Sequence, residues 1–425
     1  MENKKKFYQL SWSKRLATLN AQQKLTTAQQ KLLEKHAVDP QLSDQQIENY
    51  LTNYNLPEGL AFHYLINGKK YLVPLVTEEP SVIAASSHGA GLVEKAGGFQ
   101  AQTTAHLLWG QIIIEQLTDP MGLKKRLQAK QAELLAAADS GHPSLKKRGG
   151  GARLLRIRIL GEKVLSVDLG IDTQEAMGAN LVNSMLESLA QKIKQQFSCQ
   201  VLMSILSNLA DECLATAECE LPVELLAKKG FAGLKTAQKI TAAAKIAQLD
   251  PYRAATHNKG IMNGVDAAVI AMGNDWRAIE SAVHAYAARD GYYRGLSSWV
   301  LSPDQKKLCG KLTLPLPVGF VGGSISILPL VKFNQQLAGI KSVAELEKVI
   351  VCVGLAQNLA ALLALVTEGI QQGHMRLQLR STALAAGATI AEADQVAILL
   401  QQQRQTDLAS AKQILQNLRG NGDQK

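Results

Sequence analysis

The sequence predicts a multidomain α+β protein organised around one long buried helix, and three observations carry that prediction. At 425 residues the chain exceeds what a single hydrophobic core organises. Its composition, 46% hydrophobic and 19% charged with only 5% aromatic residues, is that of a globular protein rich in Ala and Leu, in which helix dominates. The apolar run from Val349 to Val366 carries Gln357 and Asn358 at its centre, which lipid penalises and a packed interior can satisfy. It therefore reads as a core helix and not as a membrane span.

Taken in order, Ser43 and Gln46 form a capping box that opens a short helix through Ile47 and Tyr50, ended by Asn55 and Pro57. Asn67-Gly68, between Phe62–Ile66 and Tyr71–Val76, marks a hairpin whose turn needs positive φ. Pro80 starts a helix, with Glu78 and Glu79 at the positive end of its dipole. From about residue 108 the pattern changes to a basic amphipathic helix up to Asp139, a Gly149-Gly150-Gly151 break and strands at Leu154–Leu160 and Lys163–Asp168. Helical spacing over Gln174–Gln195 and alternation over Cys199–Ile205 complete an inserted α+β unit, residues 108–210. A strand is expected at Val265–Met272, a helix at Trp276–Arg289, and a glycine-rich loop at Gly319–Gly323. Ser342 and Glu345 cap the long helix, which is expected to run to Gly373, and Thr389 with Glu392 caps a helical appendage. The expected organisation is a large domain in two parts, 1–107 and 211–373, the insert 108–210, and a C-terminal helical flap, 374–425.

The formal charge of +10 admits nucleic acid, anionic lipid or a polyanionic small molecule as partner. The basic clusters at Lys4–Lys6, Lys124–Arg126 and Lys146–Arg148 are short and carry no interleaved aromatics, so a phosphate-bearing cofactor fits better than a nucleic acid. Cys199, Cys213, Cys219, Cys309 and Cys352 are odd in number and lack a C-x-x-C pair, which argues against a disulfide framework and a zinc site and implies a reducing cytoplasm. The basic N-terminus has no apolar core and does not read as a secretory signal.

Individually, the chemistry-bearing residues are ambiguous. Asp275, in Gly273-Asn274-Asp275, reads equally as the N-cap of the following helix. Glu79 reads as a helix-start acid, and proton donation near neutral pH would require it to be desolvated or crowded. Lys259, alone, is a surface lysine, and His374 complements the negative end of the helix before it.

As ordered strings they are not ambiguous. Glu48-Asn49, Glu78-Glu79-Pro80-Ser81, Glu175-Ala176-Met177-Gly178-Ala179-Asn180, Tyr252–Gly264, Gly273–Arg277, Gly354–Leu359 and Gly373-His374-Met375 together resemble the class II, bacterial hydroxymethylglutaryl-CoA reductases across nearly the whole chain. The resemblance implies a four-electron reduction of (S)-3-hydroxy-3-methylglutaryl-CoA to (R)-mevalonate and CoA by two hydride transfers from a nicotinamide cofactor, within the mevalonate pathway of isoprenoid biosynthesis. It implies Glu79 as acid, Lys259 as the cation stabilising the developing oxyanion, Asp275 as its carboxylate partner and His374 as the thiolate protonator, delivered by a flap. Arg253 and Asn263 are implied in binding the substrate carboxylate and hydroxyl, with Ser81 and Asn208 as further candidates, and Gln357 and Asn358 against the CoA moiety or in helix packing. No metal is needed, because the lysine polarises the carbonyl.

For the cofactor, the resemblance implies a ferredoxin-like insert with the Met177-Gly178-Ala179-Asn180 turn, after Glu175, offering backbone amides to a pyrophosphate. His142 and Lys146 stand near the Gly149 break, where a basic neighbourhood without an acid accepts a 2'-phosphate, so NADPH is expected, with NADH as the alternative. A cytoplasmic homodimer with the active site between subunits is also implied, with neither nucleic acid nor membrane as partner. Two positions depart from the family pattern: Glu175 stands where Asp is expected, and Met375–Arg380 lacks a second histidine, which implies either a looser CoA contact or the same hydrogen bond supplied by Gln378. The rival classes are a nucleic-acid-binding protein, favoured by charge, and a reductase of another acyl-CoA.

Overall fold

Pro40 at the first helical position and the Asp39 carboxylate, which accepts the Gln41 amide at 3.0 Å, start a short helix. In the computed structural model, which describes residues 10–21, 26–36, 39–228, 230–367, 369, 379–403 and 405–420, this is α3 (Pro40–Gln46), after α1 (Trp12–Ala21) and α2 (Thr27–His36). It ends where the Ser43 box led us to expect a beginning. Beyond it Asn49 turns at φ 58°, and the carbonyl of buried Tyr50 accepts the buried Arg15 guanidinium at 3.3 Å, a tie that a continued helix would have used internally. The chain divides into two units, Met1–Pro57 and Glu58–Lys425.

The second unit opens with β1 (Glu58–Ile66) and β2 (Lys69–Val76), joined by Asn67 and Gly68 at φ 49° and 79°, the paired positive values of a two-residue hairpin turn. The following helix, α4 (Val82–Lys95), starts two residues later than Pro80 suggested, because Ser81 takes a left-handed φ of 78° and the Glu79–Ser81 segment is a turn. Gly89 then lets α4 cross the core helix at backbone distance: a Cβ there would sit 2.1 Å from the Ala356 carbonyl oxygen.

After β3 (Gln100–Thr103), the segment expected to be one basic helix begins instead as strand β4 (Leu107–Glu115), followed by α5 (Pro120–Ala129), α6 (Gln131–Ser140) and α7 (Pro143–Lys147). The reason is that β4 is a central strand buried on both faces, so it shows no polar alternation. With β5 (Gly151–Gly161), β6 (Val164–Asp172) and β7 (Gln200–Leu206) it forms an antiparallel sheet of order β5-β6-β4-β7, covered by α8 (Ala179–Phe197). Val182, Met185, Leu186, Leu189 and Ile193 line the buried face of α8 and share a core with Leu108, Ile112 and Ile114.

The larger core surrounds a second antiparallel sheet, order β3-β8-β10-β9, built from β8 (Leu214–Pro222), β9 (Ser297–Leu301) and β10 (Lys307–Pro315). Helices α9 (Gly233–Leu249), α10 (Pro251–Ala271), α11 (Trp276–Ala287), α12 (Pro329–Ala338) and α13 (Val343–Val366) complete it. The expected strand at Val265–Met272 is helical, forming the end of α10. That end is packed inside the core and apolar on nearly every side, so it carries no period that separates helix from strand. Consequently Gly273-Asn274-Asp275 follows a helix and not a strand. Most of α13 is buried, and Ser342 caps it by accepting the Glu345 amide at 3.3 Å. This helix was expected to run to Gly373 but ends at Val366, because Thr367 leaves helical geometry at φ −116° and ψ −96°; residues 370–378 lie outside the described residues. The last helices, Ile390–Gln402 and Leu408–Gly420, share a small core of Val396, Leu400, Ile414 and Leu415, and the Thr389–Glu392 capping box is fully formed.

Candidate active site

Asp250 caps α10 through the Tyr252 and Arg253 amides at 3.4 and 3.0 Å, with Pro251 at the first helical position. From that start Arg253, Thr256, Gly260 and Asn263 recur at helical spacing and, with Lys259, form one wall of a cavity of 650 Å³. Gln357, Asn358 and Leu365 of α13 form the opposite wall, and Glu79 and Ser81 enter from the turn before α4. Two small residues bring these helices together: a Cβ on Gly264 would lie 2.9 Å from Val353, and one on Gly354 would lie 3.0 Å from Val265.

Within this cavity Lys259 Nζ donates to Glu79 Oε2 at 2.6 Å. Arg253 has no carboxylate in ion-pair reach among the described residues, and burial disfavours its charge. Such a cation is a ready seat for an anionic ligand. Two polar oxygens on the wall, Ser81 Oγ and Gln357 Oε1, are buried without a partner among the described residues and so invite ligand hydrogen bonds. Asn358 differs: its Oδ1 accepts Ser297 Oγ–H and Trp299 Nε1–H, both at 2.7 Å, so its amide serves packing. His257, whose Nε2 lies 2.7 Å from Ser297 Oγ, also borders the cavity. Burial, with Arg253 nearby, pushes its pKa down to about 4, so the imidazole is neutral at physiological pH. Reading Lys259 alone had missed His257 and Thr256 as cavity residues; the helical register of α10 is the signal that finds them.

A second cavity, of 320 Å³, gathers Met177, Gly178, Ala179 and Asn180 with Gly273, Asn274, Asp275 and the Gly322-Gly323 loop. Gly178 begins α8 at φ 87°, and a Cβ there would meet Thr173 at 2.4 Å. The free amides at the α8 N-terminus thus face a space suited to a phosphate group. Asn274 holds the facing loop, accepting the Gly319 amide at 2.6 Å and donating to its carbonyl at 3.0 Å, a role not foreseen from sequence.

Several expected residues stand elsewhere. Asp275 caps α11, accepting the Arg277 and Ala278 amides at 3.0 and 3.2 Å, and borders the second cavity; within the chain it is Glu79, not Asp275, that pairs with Lys259. The Glu175 carboxylate accepts the Val343 amide at 2.7 Å, tying the glycine-bearing turn to the start of α13. Lys146 lies on α7 and His142 immediately precedes it, and neither lines either cavity. The break beside them does hold an acid: Asp139 accepts the Ala152 amide at 2.8 Å and lies 3.7 Å from Lys146. No local spacing points to it, because Asp139 lies on α6, with all of α7 between it and the glycines, and meets Ala152 across 13 positions only through the fold. Asn208 lines neither cavity, and His374 with Gly373 and Gln378 lies outside the described residues.

The model of the hydroxymethylglutaryl-coenzyme A reductase family matches residues 11–379. The chain belongs to this family. The 3-hydroxy-3-methylglutaryl-coenzyme A reductase of Archaeoglobus fulgidus is 38% identical over 417 residues, covering 97% of this chain and 94% of that one. Among solved structures, the class II reductase of Streptococcus pneumoniae bound to NADPH in open conformations is 46% identical, with a TM-score of 0.76, over 96% of this chain and all of that one. A further structure of the S. pneumoniae reductase gives the same identity and TM-score over 97% of this chain. Membership of the reductase family makes the chain an oxidoreductase that uses NAD(P)H.

Proposed function

We propose that this chain reduces (S)-3-hydroxy-3-methylglutaryl-CoA to (R)-mevalonate and CoA with two NADPH, in the mevalonate pathway, which is the known role of the family. The observation that carries this reading is the Lys259–Glu79 pair on the wall of a cavity that also holds Arg253, which has no carboxylate partner among the described residues. NADPH supplies the hydride. Lys259 holds positive charge where the thioester oxygen becomes negative, and Glu79, in contact with it, is placed to hand on a proton. Arg253 receives the substrate carboxylate and Asn263 the hydroxyl. His374 is proposed to protonate the departing CoA thiolate.

The turn Met177–Asn180 suits a dinucleotide pyrophosphate, because it borders the second cavity at the N-terminus of α8, where helix amides lack intrahelical partners. The NADPH-bound S. pneumoniae relative supports NADPH over NADH. We further propose residues 108–210 as the cofactor-binding insert, supported by their own sheet and core. The position of Asp275 beside the dinucleotide cavity, away from Lys259, supports a homodimer in which Asp275 of one copy reaches Lys259 of the other. The burial of α13, 78% over its most apolar window, and free cysteines support a place in the cytoplasm.

The test is stoichiometry: loss of NADPH absorbance that requires hydroxymethylglutaryl-CoA, at two NADPH per CoA thiol released. Oxidation driven equally by other acyl-CoA thioesters would replace this substrate assignment.

A further inference from the structure

His106, Cys213 and Glu347 converge in the interior, away from both cavities, with their donor atoms all within 4.8 Å of one another. His106 Nδ1 lies 2.7 Å from Glu347 Oε1 and 3.2 Å from Cys213 Sγ, and the sulfur lies 3.6 Å from the same carboxylate oxygen. The His106 and Glu347 side chains are 7% and 4% exposed and Cys213 is 2% exposed. No local spacing announces the set, since the three residues are separated by 107 and 134 positions.

We propose that these three side chains form a structural site for a divalent metal ion of the zinc class. Imidazole nitrogen, thiolate sulfur and carboxylate oxygen are the donors such an ion takes. With metal–ligand lengths of about 2.0–2.3 Å, a tetrahedral ion spaces its donors about 3.3–3.7 Å apart. The two contacts to sulfur match that spacing within a few tenths of an ångström. The His106–Glu347 contact is shorter because a proton bridges it, and it opens on metal binding. The Leu316 carbonyl oxygen lies 3.5 Å from Cys213 Sγ and accepts the Val318 amide at 2.7 Å, so it offers a fourth donor only through its second lone pair.

Charge and burial agree with the geometry. A buried imidazole and carboxylate without further compensation are costly to desolvate. His106 Nε2 is also buried with no partner among the described residues. Binding ionises the Cys213 thiol, releasing its proton to solvent, and shifts the imidazole proton from Nδ1 to Nε2. A dication with one thiolate, one carboxylate and one neutral imidazole leaves the site uncharged.

The location gives the ion a task. His106 lies on the connection from β3 to β4 and Cys213 on the connection from β7 to β8, the two crossings into and out of the β4–β7 sheet, while Glu347 belongs to α13. An ion here pins both crossings to the core helix.

The test uses the full-length protein, stripped with a chelator and titrated with cobalt(II). The expected result is one equivalent bound with a thiolate-to-cobalt charge-transfer band in the near ultraviolet, displaced by zinc. That band is lost in Cys213→Ser and Glu347→Gln and kept in Cys309→Ser, and zinc raises the melting temperature of the unmodified protein but not of Glu347→Gln. No such band in the unmodified protein, or one that survives Cys213→Ser, overturns the proposal. Should Cys213→Ser fail to fold, the unmodified titration and Glu347→Gln decide by the same outcomes.

Discussion

Lys259 Nζ lies 2.6 Å from Glu79 Oε2, although the two residues are 180 positions apart and their side chains remain 61% and 34% exposed. An ion pair so exposed adds only about 0–1 kcal/mol to stability. In the proposed reaction its value is chemical, because it sets a cation and a carboxyl group side by side where a carbonyl oxygen would gain charge and then a proton. Glu79→Gln keeps the contact and removes the proton. Its kcat should fall about 100- to 10,000-fold with little change in the KM for hydroxymethylglutaryl-CoA, measured by steady-state NADPH oxidation.

Arg253 carries the substrate carboxylate in this account, and a guanidinium offers that group two parallel hydrogen bonds. Arg253→Lys retains charge but not the fork. The KM for hydroxymethylglutaryl-CoA should rise by roughly ten- to a hundred-fold while the KM for NADPH stays constant, and equal changes in both would contradict the assignment.

Gly178 should have the converse signature. Any Cβ there meets Thr173 at 2.4 Å, in a backbone conformation with φ 87°. Gly178→Ala should shift the α8 N-terminus and raise the KM for NADPH, leaving the affinity for the acyl-CoA unchanged in equilibrium binding.

His257 makes stability depend on pH. Its folded pKa of about 4 lies below the ordinary 6.5, so the unfolded chain takes up a proton first as pH falls. The neutral, buried imidazole therefore supports the fold above about pH 6.5, and that support is lost progressively as pH drops toward 4. Urea midpoints should decline across this window more steeply for the unmodified protein than for His257→Gln.

The fold was legible where a local signal exists and hidden where only tertiary burial decides. Thr389 with Glu392, Ser342, and the Asn67-Gly68 turn each state their structure within four residues, and each forms as read. Strand β4 and the end of α10 are apolar on every side because they lie inside cores, so neither shows the period that separates helix from strand. The same division holds for the cavities. Arg253, Lys259 and Asn263 line one cavity through a single helical register, whereas Glu79 meets Lys259 only because α4 crosses the core helix at Gly89. Asp139 likewise reaches the glycine break through the return of β5.

Asp275 and Lys259 stand on different cavities of one chain, and the proposed dimer brings them together. Lys259→Ala and Asp275→Asn should each be inactive alone. Co-expressed in equal amounts, they should recover about a quarter of the unmodified activity, because half of randomly paired dimers then hold one intact site of two. Recovery absent from a purified heterodimer would place both groups in a single subunit.

The most direct test of the central claim is the rate of NADPH oxidation by Lys259→Ala with saturating hydroxymethylglutaryl-CoA. Because the Lys259–Glu79 pair is exposed, the variant should melt within a few degrees of the unmodified protein. Its NADPH oxidation should fall to the background seen without substrate, while NADPH binding is retained. A folded Lys259→Ala protein that still reduces the thioester at a comparable rate would contradict the role of Lys259 as the oxyanion-stabilising cation.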